Sequence, residues 1–321
     1  MASRRSTRRR KGRASGHRPL RAAVTLLTVT AVGAGAVVVA LNRLDDSTPV
    51  AERCAATAGE RSWYLSVAQA DNAALVTGTS LRRGLPARAA TIGIATALQE
   101  SRLVNIDYGD RDSVGLFQQR PSQGWGSVEQ IMDPVYSTNA FYDVLETVDG
   151  YEDMEITVAA QTVQRSAFPD AYAQHEPRSR AWASSLTGYS PATLTCELAA
   201  VSADEIAATH ADPTAPLLAR VARDLGDLPA VSAGDTAPGV VTVETTSLPA
   251  AAGDGGAERA AWAVAQWAVA SADATHLVAV DVADRRWTRA EPTWEVVDRA
   301  ADATPAPSPG TVRLTVATPP S

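Results

Sequence analysis

The chain has 321 residues, a formal net charge of −7 and two cysteines, enough length for two modest domains with cores of their own. Nine of its 29 basic residues (Arg4, Arg5, Arg8, Arg9, Arg10, Lys11, Arg13, Arg18 and Arg21) precede residue 22 with no acid among them. The remainder is therefore more acidic than the total implies and lacks the basic face that nucleic-acid binding requires.

Beside residues 22–41, AAVTLLTVTAVGAGAVVVAL, the basic run reads as a topogenic signal, although in isolation it would suit a nucleic-acid arm. That stretch is uncharged and has about the 20 residues a bilayer requires. It exceeds the usual apolar region of a cleaved signal, and no convincing Ala-x-Ala site follows. The expectation is one transmembrane anchor, chosen over a cleaved signal, with residues 1–21 in the cytoplasm and everything after Arg43 outside it. Residues 42–53, polar with one proline, read as a tether.

Apolar spacing at Val67, Ala70, Ala74 and Val76 predicts a helix over 66–81. Arg82, Arg83 and Gly84 end it, and Pro86 opens the next. In that second helix Ala90, Ile92, Gly93, Ile94, Ala97 and Leu98 leave almost no polar side, which places it inside a domain. Glu100 stands at its C-terminal end. The negative pole of the helix and small neighbours (Gly93, Thr96, Ala97) both favour a protonated carboxyl, which a glycosidase needs in order to protonate a leaving oxygen. Residues 105–113, NIDYGDRDS, are dense in turn formers and read as a small hairpin or loop. Asp107, Asp110 and Asp112 there are solvated turn residues, a second carboxylate facing Glu100, or a cation site; a calcium loop would need more ligands at firmer spacing.

Glu100-Ser101, followed after this insert by Gly115-Leu116-Phe117-Gln118, resembles the Glu-Ser and Gly-Leu-Met-Gln motifs of the lytic transglycosylases, which share the goose-type lysozyme fold. The resemblance spans about residues 54–196. It implies a mainly α, lysozyme-like domain whose substrate is the peptidoglycan glycan strand, cut between N-acetylmuramic acid and N-acetylglucosamine. It further implies that Glu100 acts as acid and then as base, closing the muramyl 6-hydroxyl onto the anomeric carbon without a second carboxylate. Ser101, Gly115, Leu116, Phe117 and Gln118 would then lie at the substrate, with Gly115 permitting close approach of the ligand. Gln119 and Trp125 follow as candidates, Trp125 either stacking on a sugar or plugging a local core.

Ser127-Val128-Glu129-Gln130 has the form of a capping box, and Asp133-Pro134 that of a helix start, for a helix over 134–146. Tyr136, Asn139 and Tyr142 on it are cleft or core residues. A helix over 156–165 occupies the place where the family carries an Ala-Tyr-Asn motif. No such tripeptide occurs; Gln161, Gln164 and Ser166 are the polar substitutes. That departure motivates an alternative, a catalytically weak or inactive lysozyme-like module that reads glycan or serves as a scaffold in the envelope. A last helix over 169–186 contains Tyr172 and Trp182. Cys54 and Cys196 bracket the resembling segment and would form one disulfide outside the cytoplasm.

Residues 197–238 read as an Ala-, Asp- and Pro-rich linker with a short helix at 217–225. Strand patterns at 239–246, 276–282, 286–297 and 311–317 around a helix over 257–272 predict a small α+β domain over 239–321. Trp262 and Trp267 read as core, whereas Trp287 and Trp294, among charges, are candidates for an exposed surface that takes the wall or an envelope protein. His17, His175, His210 and His276 offer no zinc spacing, and no P-loop, GxSxG, HExxH or dinucleotide fingerprint occurs, so neither metal nor cofactor is expected.

Overall fold

The computed structural model describes residues 52–319 except 166–168, 210 and 299–303. The basic tail, the expected membrane anchor, nearly all of the tether, Ser166, His17 and His210 lie outside the described residues. No helix among the described residues is long and apolar enough to cross a membrane.

From Glu52 onward the chain clusters as one compact unit. Its architecture is mixed α and β, with two antiparallel sheets; helices predominate over 54–196, where the first sheet adds three short strands. The first sheet has the order β2-β1-β3, from β1 (Arg53–Ala58), β2 (Arg61–Ser66) and β3 (Leu194–Glu197). Gly59, at φ 60°, takes the first central position of the two-residue turn between β1 and β2, where a left-handed backbone matches the twist of a hairpin. Neither strand was expected: β1 reads RCAATA, and alanine is depleted in strands. Cys54 lies opposite Cys196 in the ladder, and the two form a disulfide.

Helix α1 (Val67–Arg82) begins at Ser66, whose hydroxyl and the Gln69 side chain make a reciprocal capping box. Helix α2 (Ala87–Ser101) follows Pro86 and is buried from Ala89 to Leu98. Gly93 makes this packing possible, because a Cβ there would stand 2.8 Å from the Tyr142 hydroxyl, which itself donates to the Val76 carbonyl at 3.1 Å. Around α2 lie α3 (Val128–Met132), α4 (Pro134–Leu145), α5 (Ile156–Gln164) and α6 (Glu176–Leu186). The helix expected over 169–186 is divided: Pro169–His175 winds as a 3-10 helix before α6 starts. Residues 105–113 contain no strand; Val114 and Gln119 form a single antiparallel bridge beyond them.

The stretch read as a linker contains α7 (Ala203–Ala208) and α8 (Ala215–Leu225). Leu217, Val221 and Leu225 are buried, and α8 carries an ion cluster into the core. Arg220 Nε donates to Asp224 Oδ2 at 2.7 Å and its guanidinium reaches Asp71 Oδ1 of α1, also at 2.7 Å. Asp224 is fully buried and also accepts from Arg223 Nε at 2.7 Å and from Trp267 Nε1 at 3.0 Å.

Trp267 belongs to α9 (Gly256–Ala270), which packs on the second sheet, ordered β4-β5-β9-β6-β7-β8. Its strands are β4 (Ala230–Ser232), β5 (Val240–Glu244), β6 (Leu277–Val282), β7 (Arg285–Thr288), β8 (Glu295–Val296) and β9 (Thr311–Val316). Buried Gln266 of α9 accepts from the amides of Thr193 and Leu194 at 3.0 and 2.9 Å and donates to the carbonyls of Ser185 and Ser190 at 2.6 and 3.0 Å. One side chain thus ties α9 to the end of α6 and to β3. Trp287, a candidate for the surface, is instead buried and donates to Thr195 Oγ1 at 3.0 Å. Trp294 stands edge-on to Trp262 with ring centres 5.1 Å apart and donates to the Leu194 carbonyl at 2.8 Å. Both indoles are spent on packing against β3, because a tryptophan among charges still buries its ring when its N–H finds an acceptor.

Candidate active site

Glu100 is carried to its place by the way α2 ends. The amides of Arg102 and Leu103 return to the carbonyls of Leu98 and Ala97 at 3.1 and 2.8 Å, and both residues stand in the left-handed region, at φ 57° and 61°. Left-handed backbone costs a non-glycine residue about 1 to 2 kcal/mol, so the turn needs outside support. Gln69 and Asn72 of α1 supply it, donating to the carbonyls of Arg102 at 2.7 Å and Leu103 at 3.1 Å. Ser101 is buried and donates to the Leu116 carbonyl at 2.7 Å. It fastens the Glu100 turn to the 115–118 turn.

The Glu100 side chain is part-buried, and Oε1 accepts from the Tyr172 hydroxyl at 2.5 Å. Burial pushes its carboxyl above the ordinary value, against hydrogen bonds from Tyr172 and Gln164 that favour the charged form. Tyr172 is itself fully buried, in the 3-10 helix between α5 and α6. Gln164, the last residue of α5, is held by a 2.7 Å bond to the Phe117 carbonyl. Acid, tyrosine and glutamine therefore come from three separate segments.

Glu100 opens on a cavity of ≈ 550 Å³. Of the expected substrate-binding residues, Gln118, Gln119 and Trp125 line it together with Gln164. Gln118 stands at φ 47° and its amide donates to the Tyr108 carbonyl at 3.1 Å while Ser113 Oγ lies 3.1 Å from its Oε1. Glycine is required at 109 for this arrangement, since a Cβ there would fall 1.9 Å from Gln118 Oε1. Gln119 is buried, donates to the Ser137 carbonyl at 3.0 Å and leaves Oε1 without a hydrogen-bond partner. Trp125 also walls a second cavity, with Gln123, Gln164 and Arg165 common to both.

The other expected residues serve the fold. Leu116 and Phe117 are wholly buried, Phe117 stacked on Phe141 at 4.6 Å, so neither side chain faces the cavity. Gly115 stands at φ 82° with its Cβ position 2.7 Å from the Ile131 carbonyl; the neighbouring backbone, not a ligand, excludes a side chain. Gln161 is not among the lining residues. Of the three aspartates only Asp110 lines the cavity, with its side chain almost fully exposed. Asp112 accepts from the Ser122 amide at 2.8 Å and from Arg120 Nε at 2.7 Å, which together hold its carboxyl far below the ordinary range. Asp107 is exposed and away from the lining.

Tyr172 is the residue that sequence reasoning passed over. It sits in Ala171-Tyr172-Ala173, an Ala-Tyr pair without the asparagine, beyond the helix where the family motif was sought. Arg111, Arg120 and Arg165 also line the cavity and carried no motif. No protein-family model matches the chain, and no curated protein matches it.

Proposed function

We propose that the chain is a peptidoglycan-cleaving enzyme of lytic transglycosylase type, working outside the cytoplasm. The observation that carries this is one carboxyl, Glu100, held above its ordinary pKa by burial, hydrogen-bonded to a buried tyrosine and facing a cavity large enough for sugar rings. Protonated Glu100 donates to the glycosidic oxygen as the bond to the anomeric carbon lengthens. The Tyr172 hydroxyl then stabilises the carboxylate left behind. That carboxylate accepts the proton of the muramyl 6-hydroxyl as its oxygen closes on the anomeric carbon, which regenerates the acid and yields a 1,6-anhydro end. Trp125 offers a ring for sugar stacking between the two adjoining cavities.

Cleavage by water under a second carboxylate finds little support: Asp112 is tied into an ion pair and Asp110 lies in bulk solvent. The compartment is supported by the Cys54–Cys196 disulfide, which persists in oxidising surroundings. An inert glycan-reading module is the alternative, and it would have no use for a carboxyl kept above its ordinary pKa. Mass spectrometry of purified peptidoglycan treated with the intact chain and with Glu100→Gln tests the proposal. Anhydromuropeptides released by the first and not by the second are expected. Ends heavier by one water would replace transglycosylation with hydrolysis, and equal absence of products with retained glycan binding would establish the inert module.

A further inference from the structure

The cleft beside Glu100 is rimmed by guanidinium groups that its chemistry does not use. Beyond residue 21 the chain carries 20 basic against 36 acidic residues, yet Arg111, Arg120 and Arg165 converge on this one cavity. Arg120 is occupied by Asp112. Arg111 has only a 3.9 Å contact with Asp110, both side chains largely in solvent, and Arg165 has no ion pair among the described residues. Two cations thus line the cavity without firm partners in a protein rich in acids.

Their backbones make the same point from another direction. Arg111 and Arg165 stand at φ 58° and 53°, where glycine or asparagine is the favoured residue. Arg165 follows the last residue of α5, and a cation there does favour the helix dipole. That accounts for a positive charge at 165 but not for Arg111, which lies in a loop. Neither guanidinium is among the hydrogen-bond partners of the Glu100 carboxyl, which are Tyr172 and Gln164. Both are therefore left to hold an anion in the cavity that Glu100 also lines.

We infer that Arg111 and Arg165 form an anion-recognition site that makes the cleft selective for glycans bearing carboxylates over neutral glycans of the same length. The inference rests on the function proposed above and names the substrate feature that its site reads. Arginine suits the task, since its planar fork meets a carboxylate through two parallel hydrogen bonds. The carboxylate has two sources: the lactyl group on the sugar itself, or a peptide attached to that group.

The test uses the full chain with Glu100→Gln, so that bound glycan stays intact, and reads affinity by calorimetry. The probes are an N-acetylglucosamine oligomer, an equally long oligomer alternating with N-acetylmuramic acid whose lactyl carboxylates are free, and that oligomer with peptide stems. At about 50 mM salt, where exposed charges are weakly screened, at least one charged oligomer should bind roughly tenfold or more tighter than the neutral one, the scale of charge-assisted hydrogen bonds. Adding Arg111→Ala and Arg165→Ala should remove that advantage and leave the neutral affinity unchanged. An advantage on the free-lactyl oligomer assigns the sugar's own carboxylate, and one confined to the stem-bearing oligomer assigns the peptide. Equal affinities, or an advantage that survives the double substitution, would overturn the inference even if the unsubstituted chain releases anhydromuropeptides. Absence of binding to all three, with no release, would overturn the proposed function along with it.

Discussion

Replacing Tyr172 by phenylalanine isolates the hydrogen bond that the Glu100 site cannot do without. The ring is fully buried, so phenylalanine fills the same space and only the hydroxyl 2.5 Å from Glu100 Oε1 disappears. A hydrogen bond to a charged group contributes about 1.5 to 3 kcal/mol. Because this bond favours the carboxylate, its loss falls on the moment after proton donation, when the charge appears. At about 1.4 kcal/mol per factor of ten, kcat/KM should fall roughly 10- to 100-fold. The same loss raises the Glu100 pKa further, since the group that lowers it is gone while burial remains. The acid limb of the chemistry needs the protonated form, so the high-pH fall of kcat/KM should move to higher pH. The assay is release of soluble fragments from purified peptidoglycan, followed across pH for both proteins. A wild-type rate with an unmoved high-pH limb would refute the reasoning; a slower rate with an unmoved limb would reduce Tyr172 to a packing residue.

Glu100→Gln should stabilise the fold at neutral pH while removing activity, because burying the carboxylate opposes folding. For wild type, stability is fully present below the ordinary pKa of 4.5 and is lost as pH rises through the raised folded value; above that it is level. Denaturant melts of both proteins from about pH 4 to 8 should diverge over that window, with the variant the more stable at its upper end. Replacing Cys54 and Cys196 by alanine opens a loop with a sequence separation of 142, for which chain entropy predicts a loss of up to about 5 kcal/mol, read by urea unfolding against the oxidised protein. Arg220→Met keeps the aliphatic stem but leaves Asp224 buried with less charge compensation. A loss of about 3 kcal/mol is expected, toward the low end for a broken buried pair because Arg223 and Trp267 still donate to Asp224.

What could be read in the sequence followed from local punctuation. The Ser127 cap, Asp133-Pro134 and the Arg-Arg-Gly corner before Pro86 each act within a few residues, and helices begin and end there. Glu100 was legible because a helix apolar all round must be buried, and its last turn carries the acid. The partners of Glu100 were not, since Tyr172 reaches it across 72 positions and no periodicity records such a meeting. In residues 215–225 the inward spacing of Leu217, Val221 and Leu225 was present, but Arg220 and Asp224 share that buried face and make the segment read as solvated. Only the cluster with Asp71 and Trp267 allows those charges inside. Likewise Gly115 signalled a special backbone, and sequence alone could not say that the Ile131 carbonyl, rather than a ligand, fills the space.

The physical core of the account is that Glu100 keeps a proton which a solvated glutamate would give up. Selective carbon-13 labelling of glutamate, with the Glu100 carboxyl assigned by its loss in Glu100→Gln, measures this by NMR titration. The account predicts a midpoint above the ordinary glutamate value of 4.5, moving higher still in Tyr172→Phe. A midpoint at or below 4.5 would contradict it.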